Sequence, residues 1–74
     1  MLLCNGRVGE TYLVKSVHLP EHLEKRLEAL GVTVGTAVTV LNKKGHGILA
    51  VKFRGTRFAW GSKISGSIEV VEPS

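Results

Sequence analysis

LPEHLEKRLEALGVTVGTAVTV, residues 19–40, is a short amphipathic helix followed by two glycine stops and an alternating strand. Leu19, Leu23, Leu27 and Leu30 recur at i, i+4, i+8 and i+11, along one side of a 3.6-residue repeat. Pro20 suits the first helical position, where its missing N–H leaves no bond unmade and its φ is already near helical. Glu21 and Glu24 fall in the first turns, where the helix dipole favours negative charge, and Glu21 and Lys25 form an i, i+4 pair. Gly31 sits where a helix end wants a left-handed residue, and Gly35 marks a turn. Ala37, Thr39 and Leu41 then alternate with Val38 and Val40. The leucine stripe is expected to be committed to the core, which leaves the opposite helix face and the 31–35 turn free.

Outward from this segment, the chain divides into short strands. Residues 11–18, TYLVKSVH, are rich in β-branched and aromatic types and read as a first strand. Residues 36–42 form the second, KKGHG at 43–47 is a glycine-bearing hairpin loop, and 48–54 return as the third. In the third, Leu49, Val51 and Phe53 point one way, and Ile48, Ala50, Lys52 and Arg54 the other. A tight turn at Gly55 and Thr56 leads to a short strand at 57–60, a loop or single helical turn at 61–66, and a last strand at 67–71. Glu72, Pro73 and Ser74 form a frayed end.

The expected architecture is mainly β: a single domain, residues 1–74, built as a small SH3-like β-barrel of about five strands with one α-helix inserted between strands 1 and 2. Short strands joined by glycine turns favour closure, because a closed sheet has no edges to pair with other chains. At 74 residues the core must be small and continuous. No run reaches the roughly 20 apolar residues of a membrane helix, and MLLCNGR is too short for a signal-peptide core. One cysteine excludes an internal disulfide framework. These features fit a cytoplasmic protein.

Catalytic constellations are missing from the sequence. It holds no aspartate, the six glutamates show no acid–base pairing, and 31–36 runs from helix to strand, the reverse of a phosphate-binding loop. The chain therefore reads as no enzyme. Cys4, His18, His22 and His46 are the candidate metal ligands. His18 and His22 have helical i, i+4 spacing, but Pro20 separates them, and no tight Cys/His pair marks a closed zinc site. His18, His22 and Cys4 thus carry only an adventitious Fe(II) or Zn(II) site, the alternative of a small transition-metal-binding domain.

The charge, +4, is unevenly placed. No carboxylate occurs between Ala29 and Ile68, where Lys43, Lys44, Lys52, Arg54, Arg57 and Lys63 all fall. A nucleic-acid-binding barrel could use Lys43, Lys44, Lys52, Arg54 and Arg57 with Phe53, Phe58 and Trp60. Alternation weighs against it, since Phe53 and Arg54 face opposite ways and the aromatics are better spent as core.

Over residues 9–71 the chain resembles the ferrous iron transport protein A (FeoA) family. Gly9, LEALGVTVGT at 27–36, VTVL at 38–41, the glycine hairpin, VKFRGTRFA at 51–59 and IEVV at 68–71 carry the likeness through their order and spacing. The resemblance implies an SH3-like barrel in the bacterial cytoplasm that acts in ferrous iron uptake. Its partner would be the cytoplasmic, GTP-binding domain of an FeoB-like permease, and the chain would be peripheral to the membrane only through that partner. The family carries no agreed catalytic or metal-binding residues, so none is transferred. The expected contact surface is the exposed side of the helix and its adjoining turn: Glu21, Lys25, Arg26, Glu28, Val32 and Thr33.

Overall fold

The computed structural model describes residues 1–73, with the side chain of His46 left aside. Residues 2 to 5 open the chain with a bridge from Leu2 to Glu69 and a 3-10 turn at Leu3–Asn5. Five strands follow, β1 (Thr11–Val17), β2 (Ala37–Lys44), β3 (Ile48–Phe53), β4 (Thr56–Trp60) and β5 (Ile68–Val71). Helix α1 (Glu21–Leu30) joins β1 to β2, and a one-turn helix, α2 (Ser62–Ser65), joins β4 to β5. The strands form one antiparallel sheet in the order β4-β3-β2-β1-β5.

Two bulges coil this sheet. The register slips between Val14 and Ser16 where β1 meets β5, and between Val40 and Asn42 where β2 meets β3. Each extra residue bends its strand and increases the local twist. The result is the mainly-β, SH3-like arrangement expected, but closure is incomplete: among the described residues no ladder joins β4 to β5. The N-terminus runs along the β5 edge, and α2 is tied to the β2–β3 connection. Met1 exchanges backbone hydrogen bonds with Val70 of β5 at 2.7 and 3.0 Å. Ser65 of α2, fully buried, donates its hydroxyl to the Gly47 carbonyl at 3.0 Å.

Alternation along the strands builds the core. Tyr12, Val14, Val38, Val40, Leu49, Val51, Phe53, Ile68 and Val70 all point inward and are no more than 2% exposed. Leu3, from the 3-10 turn that precedes the first strand, is fully buried with them. The adjoining Gly6 lets that turn close against the barrel. A Cβ on it would stand 2.8 Å from Tyr12 Cε2. Just beyond, the Arg7 N–H donates to the Tyr12 hydroxyl at 2.8 Å, so the one polar atom of this buried ring is satisfied.

The helix joint is built from backbone chemistry. Pro20 is the N-cap and not the first helical residue: its ψ of 147° is extended, and its carbonyl accepts from Leu23 and Glu24. At the other end Gly31 takes φ 104°, its N–H bonds to Glu28 and the Val32 N–H reaches back to Leu27, both at 2.9 Å. This is a Schellman motif, and it turns Val32 inward to meet Leu27 in the core. Thr36 then locks the next turn. Its hydroxyl donates to the Gly31 carbonyl and accepts from the Thr33 N–H.

Strand limits differ from expectation only at the ends. Pairing of Lys44 with Ile48 carries β2 two residues past Asn42 and shortens the hairpin connection to Gly45–Gly47. Between β3 and β4, Arg54 and Gly55 take φ 52° and 76°, the two-residue type I′ turn whose twist matches the flanking strands. Ser74 lies outside the described residues.

Candidate functional site: an apolar groove and two charged faces

Helix α1 does not lie flat on the barrel along its whole length. Leu19 and Leu27 are buried and Leu23 is half-buried, but Leu30 is 49% exposed. The stripe is continuous, yet it runs past the surface beneath it. The leucine face is therefore only partly committed to the core. Its C-terminal half forms one wall of a groove of about 290 Å³ lined by Leu23, Arg26, Leu27, Leu30, Trp60 and Ile64.

Three aromatic rings back this groove. Phe53 and Phe58, on adjacent strands, stack with centroids 4.6 Å apart and planes 10° from parallel. Trp60 lies 5.5 Å from Phe53 and 6.3 Å from Phe58, and is itself 4% exposed. Trp60 packs on the two phenylalanine rings behind the groove, and Arg26 supplies a single cation in its lining. Apart from the Arg26 guanidinium and the indole N–H of Trp60, the lining of this concavity is apolar.

Of the six residues expected at a contact surface, Glu21, Lys25, Arg26, Glu28 and Thr33 are exposed. Val32 is not: at 1% exposure it is core, because the Schellman motif swings it inward. Glu21 and Lys25 pair at 3.1 Å in full solvent, an interaction worth roughly 0.2–0.5 kcal/mol. Only Arg26 belongs to the groove. Leu30, Trp60 and Ile64 complete it without being part of the expected surface. The available signal for them is a leucine stripe longer than its covering surface.

The metal candidates are not gathered. Among the described residues no three His, Cys, Asp or Glu side chains form a metal-sized group. Cys4 sits half-buried in the first 3-10 turn, and His22 is exposed on α1. The His46 side chain lies outside the described residues. His18 instead joins Ser16 and Glu69: its Nε2 is 2.9 Å from the Ser16 hydroxyl and 3.6 Å from Glu69 Oε2, while the hydroxyl donates to Glu69 at 3.2 Å. The trio is Ser, His and an acid, but both partners meet the same imidazole nitrogen. A hydrolytic triad needs the acid on the other one, so this is an exposed polar clasp between β1 and β5. The Ser16 hydrogen bond, then His18 and nearby Lys15, hold the Glu69 carboxyl below its ordinary value.

Basic residues occupy the outer side of β3 and β4. Lys52 stands directly opposite Arg57 in the ladder, and both are exposed. Phe53, Phe58 and Trp60 face the other way, so aromatics and cations lie on opposite sides of the hairpin. Arg54 leaves this face: its Cδ and Nε lie where a Cβ on Gly31 would come within 2.8 Å. It therefore places positive charge at the C-terminus of α1, whose last turn has no cation of its own.

Comparison with known proteins places this arrangement. The model of the FeoA domain family matches residues 1–72. A FeoA protein from Chlorobium tepidum superposes with a TM-score of 0.90 at 24% identity, covering 100% of this chain and 71% of its own. The zinc-complexed FeoA of Stenotrophomonas maltophilia, described as a prokaryotic SH3 domain protein and a candidate activating factor for ferrous iron transport, is 28% identical. Its TM-score is 0.81, with 96% of this chain and 89% of that one covered. A manganese-dependent transcriptional repressor shares the fold at TM-score 0.88 and 20% identity, across 99% of this chain but 41% of its own. No curated protein matches by sequence.

Proposed function

The chain belongs to the FeoA family of small accessory domains associated with ferrous iron transport, and from that premise we propose that it docks on the cytoplasmic, GTP-binding domain of an FeoB-like permease and modulates its transport. The carrying observation is the groove between α1, β4 and α2, an apolar concavity lined by aliphatic side chains and Trp60 with one rim cation. Preformed apolar pockets are where binding energy concentrates in small interfaces. In this reading the domain is a cytoplasmic protein that reaches the membrane through the permease. An apolar side chain of the permease domain fills the groove, and the exposed α1 residues Glu21, Lys25, Arg26 and Glu28 form the polar rim.

Calorimetric titration with the isolated permease domain tests this. Association is expected with the folded chain and is lost in Leu30→Glu. Absence of association at concentrations on the order of tens of micromolar, the range of weak transient contacts, would remove the reading.

A transition-metal role draws support from the zinc complex of the S. maltophilia relative. Here His18 and Glu69 supply two donors, fewer than the three or four that a zinc site uses. Equilibrium dialysis against Zn(II) and Fe(II) decides it, with retention that is lost in His18→Ala favouring the metal reading and a protein that stays apo ending it.

A further inference from the structure

The outer side of the β2–β3–β4 hairpins is a second surface, separate from the groove. Register fixes which residues share it. Thr39, Lys52 and Arg57 make one row, Asn42, Ala50 and Ala59 the next, and Lys44 with Ile48 the last. Ala50 and Ala59 keep the middle row low between the two basic ends. Ile48 is 41% exposed beside Lys44.

No acid answers these charges. The sequence holds no carboxylate between Ala29 and Ile68, and the ion pairs among the described residues are Glu21 with Lys25 and His18 with Glu69. Like charges directly opposed across a ladder destabilise it. Lys52 facing Arg57 thus gains nothing within the fold.

We infer that this face rests on an anionic phospholipid surface, with Lys44, Lys52 and Arg57 on the headgroups and Ile48 at the edge of the acyl region. Two features choose lipid over nucleic acid. The face carries no aromatic ring on which a base could stack, and it exposes an apolar side chain, Ile48, beside the Lys44 cation. A cation beside an apolar group suits a headgroup boundary, whereas single-stranded nucleic acid is held by stacking. Each basic residue near an anionic leaflet multiplies partition by about five. Three give weak, reversible adhesion, enough to raise the local concentration at a membrane-borne partner. The placement at a permease rests on the proposed function, but the lipid contact does not. Arg57 is on the outer side of β4 and Trp60 on the inner, so groove and basic face can be occupied together.

Sedimentation of the full chain with vesicles tests this without any permease. Vesicles of phosphatidylglycerol and phosphatidylethanolamine are expected to carry the protein down at low salt and to release it at about 0.5 M NaCl, where the Debye length is a few ångströms. Pure phosphatidylcholine vesicles should leave it in solution. Arg57→Glu should lower the partition at least about tenfold, since it changes the charge by two. Its melting temperature should hold or rise, because the new carboxylate would oppose Lys52 with the right sign, so unfolding does not explain the loss. Leu30→Glu should keep vesicle binding while losing the permease domain, which separates the two surfaces. Equal sedimentation of Arg57→Glu and the parent, or equal binding to phosphatidylcholine, overturns the inference. Capture by a short DNA or RNA duplex in preference to the anionic vesicles overturns it in favour of nucleic acid.

Discussion

The two sides of strand β4 could hardly differ more. Inward, Phe58 stacks on Phe53 and Trp60 lies tilted against both while lining the groove; outward, Arg57 opposes Lys52 beside a pair of alanines. One short strand therefore serves stability on one side and recognition on the other. A strand divides these duties cleanly because its side-chain period is two, so a substitution on one face leaves the other in place. The two sides communicate at one point, where Arg54 crosses from the hairpin turn to Gly31 at the end of α1.

The inner side should show the largest effect. Phe53→Ala removes a ring that is 2% exposed and stacked on Phe58, and is expected to cost about 3–5 kcal/mol in urea unfolding. A cost below that of an ordinary surface change would mean that the aromatic cluster is not part of the core. The crossing point comes next. Gly31→Ala forces a Cβ into a φ of 104° and against the Arg54 side chain, for roughly 1–3 kcal/mol. The double variant with Arg54→Ala should recover the steric part and not the backbone part.

On the outer side the sign reverses. Arg57→Glu turns a repulsive cross-strand pair into an attractive one and should stabilise by about 0.2–1 kcal/mol, read in the same urea titration. Destabilisation would show that Lys52 and Arg57 are already compensated.

The smallest effect lies at the far edge, in the clasp of Ser16, His18 and Glu69. Glu69 has its native pKa held below the ordinary value of 4.5, so its contribution is complete above that pH and is lost as pH falls through the native value. Glu69→Gln should lower the melting temperature slightly near neutrality, where the carboxylate's contribution is complete, and converge with the parent as pH falls, so that the acid slope flattens. An unaltered acid slope would contradict the clasp.

Much of the fold is legible in the sequence because its decisive signals are local. Gly31, Gly35 and the alternation of Leu49, Val51 and Phe53 each state a backbone or facing requirement within a few residues, whereas the turn expected at Gly55 and Thr56 falls one residue earlier, at Arg54 and Gly55, because Thr56 pairs with Phe53. What escapes needs tertiary knowledge. Leu3 lies in the short apolar start Met1-Leu2-Leu3, which has no periodicity to place it, and the bridge from Leu2 to Glu69 brings it into the core. Val32 follows a glycine stop and so reads as a turn residue, whereas its N–H bond to Leu27 draws it into the core. Leu30 keeps helical phase with Leu23 and Leu27, and its exposure depends on where the barrel ends beneath it. The clasp joins residues 53 apart in sequence, across a bulged β1–β5 ladder that no periodicity announces. Of the expected contact surface, Arg26 alone carries over into the groove, since helical phase tells which face is apolar but not how much of it is covered.

The central claim is that the groove, and not the polar helix face alone, receives the permease. Titrating the labelled chain with the permease's cytoplasmic domain and following amide and methyl NMR shifts tests it most directly. Shifts are expected to concentrate at Leu23, Leu27, Leu30, Trp60 and Ile64 and to vanish in a folded Leu30→Glu variant. Shifts confined to Glu21, Lys25 and Glu28 with the groove unperturbed, or binding undiminished in Leu30→Glu, would contradict it.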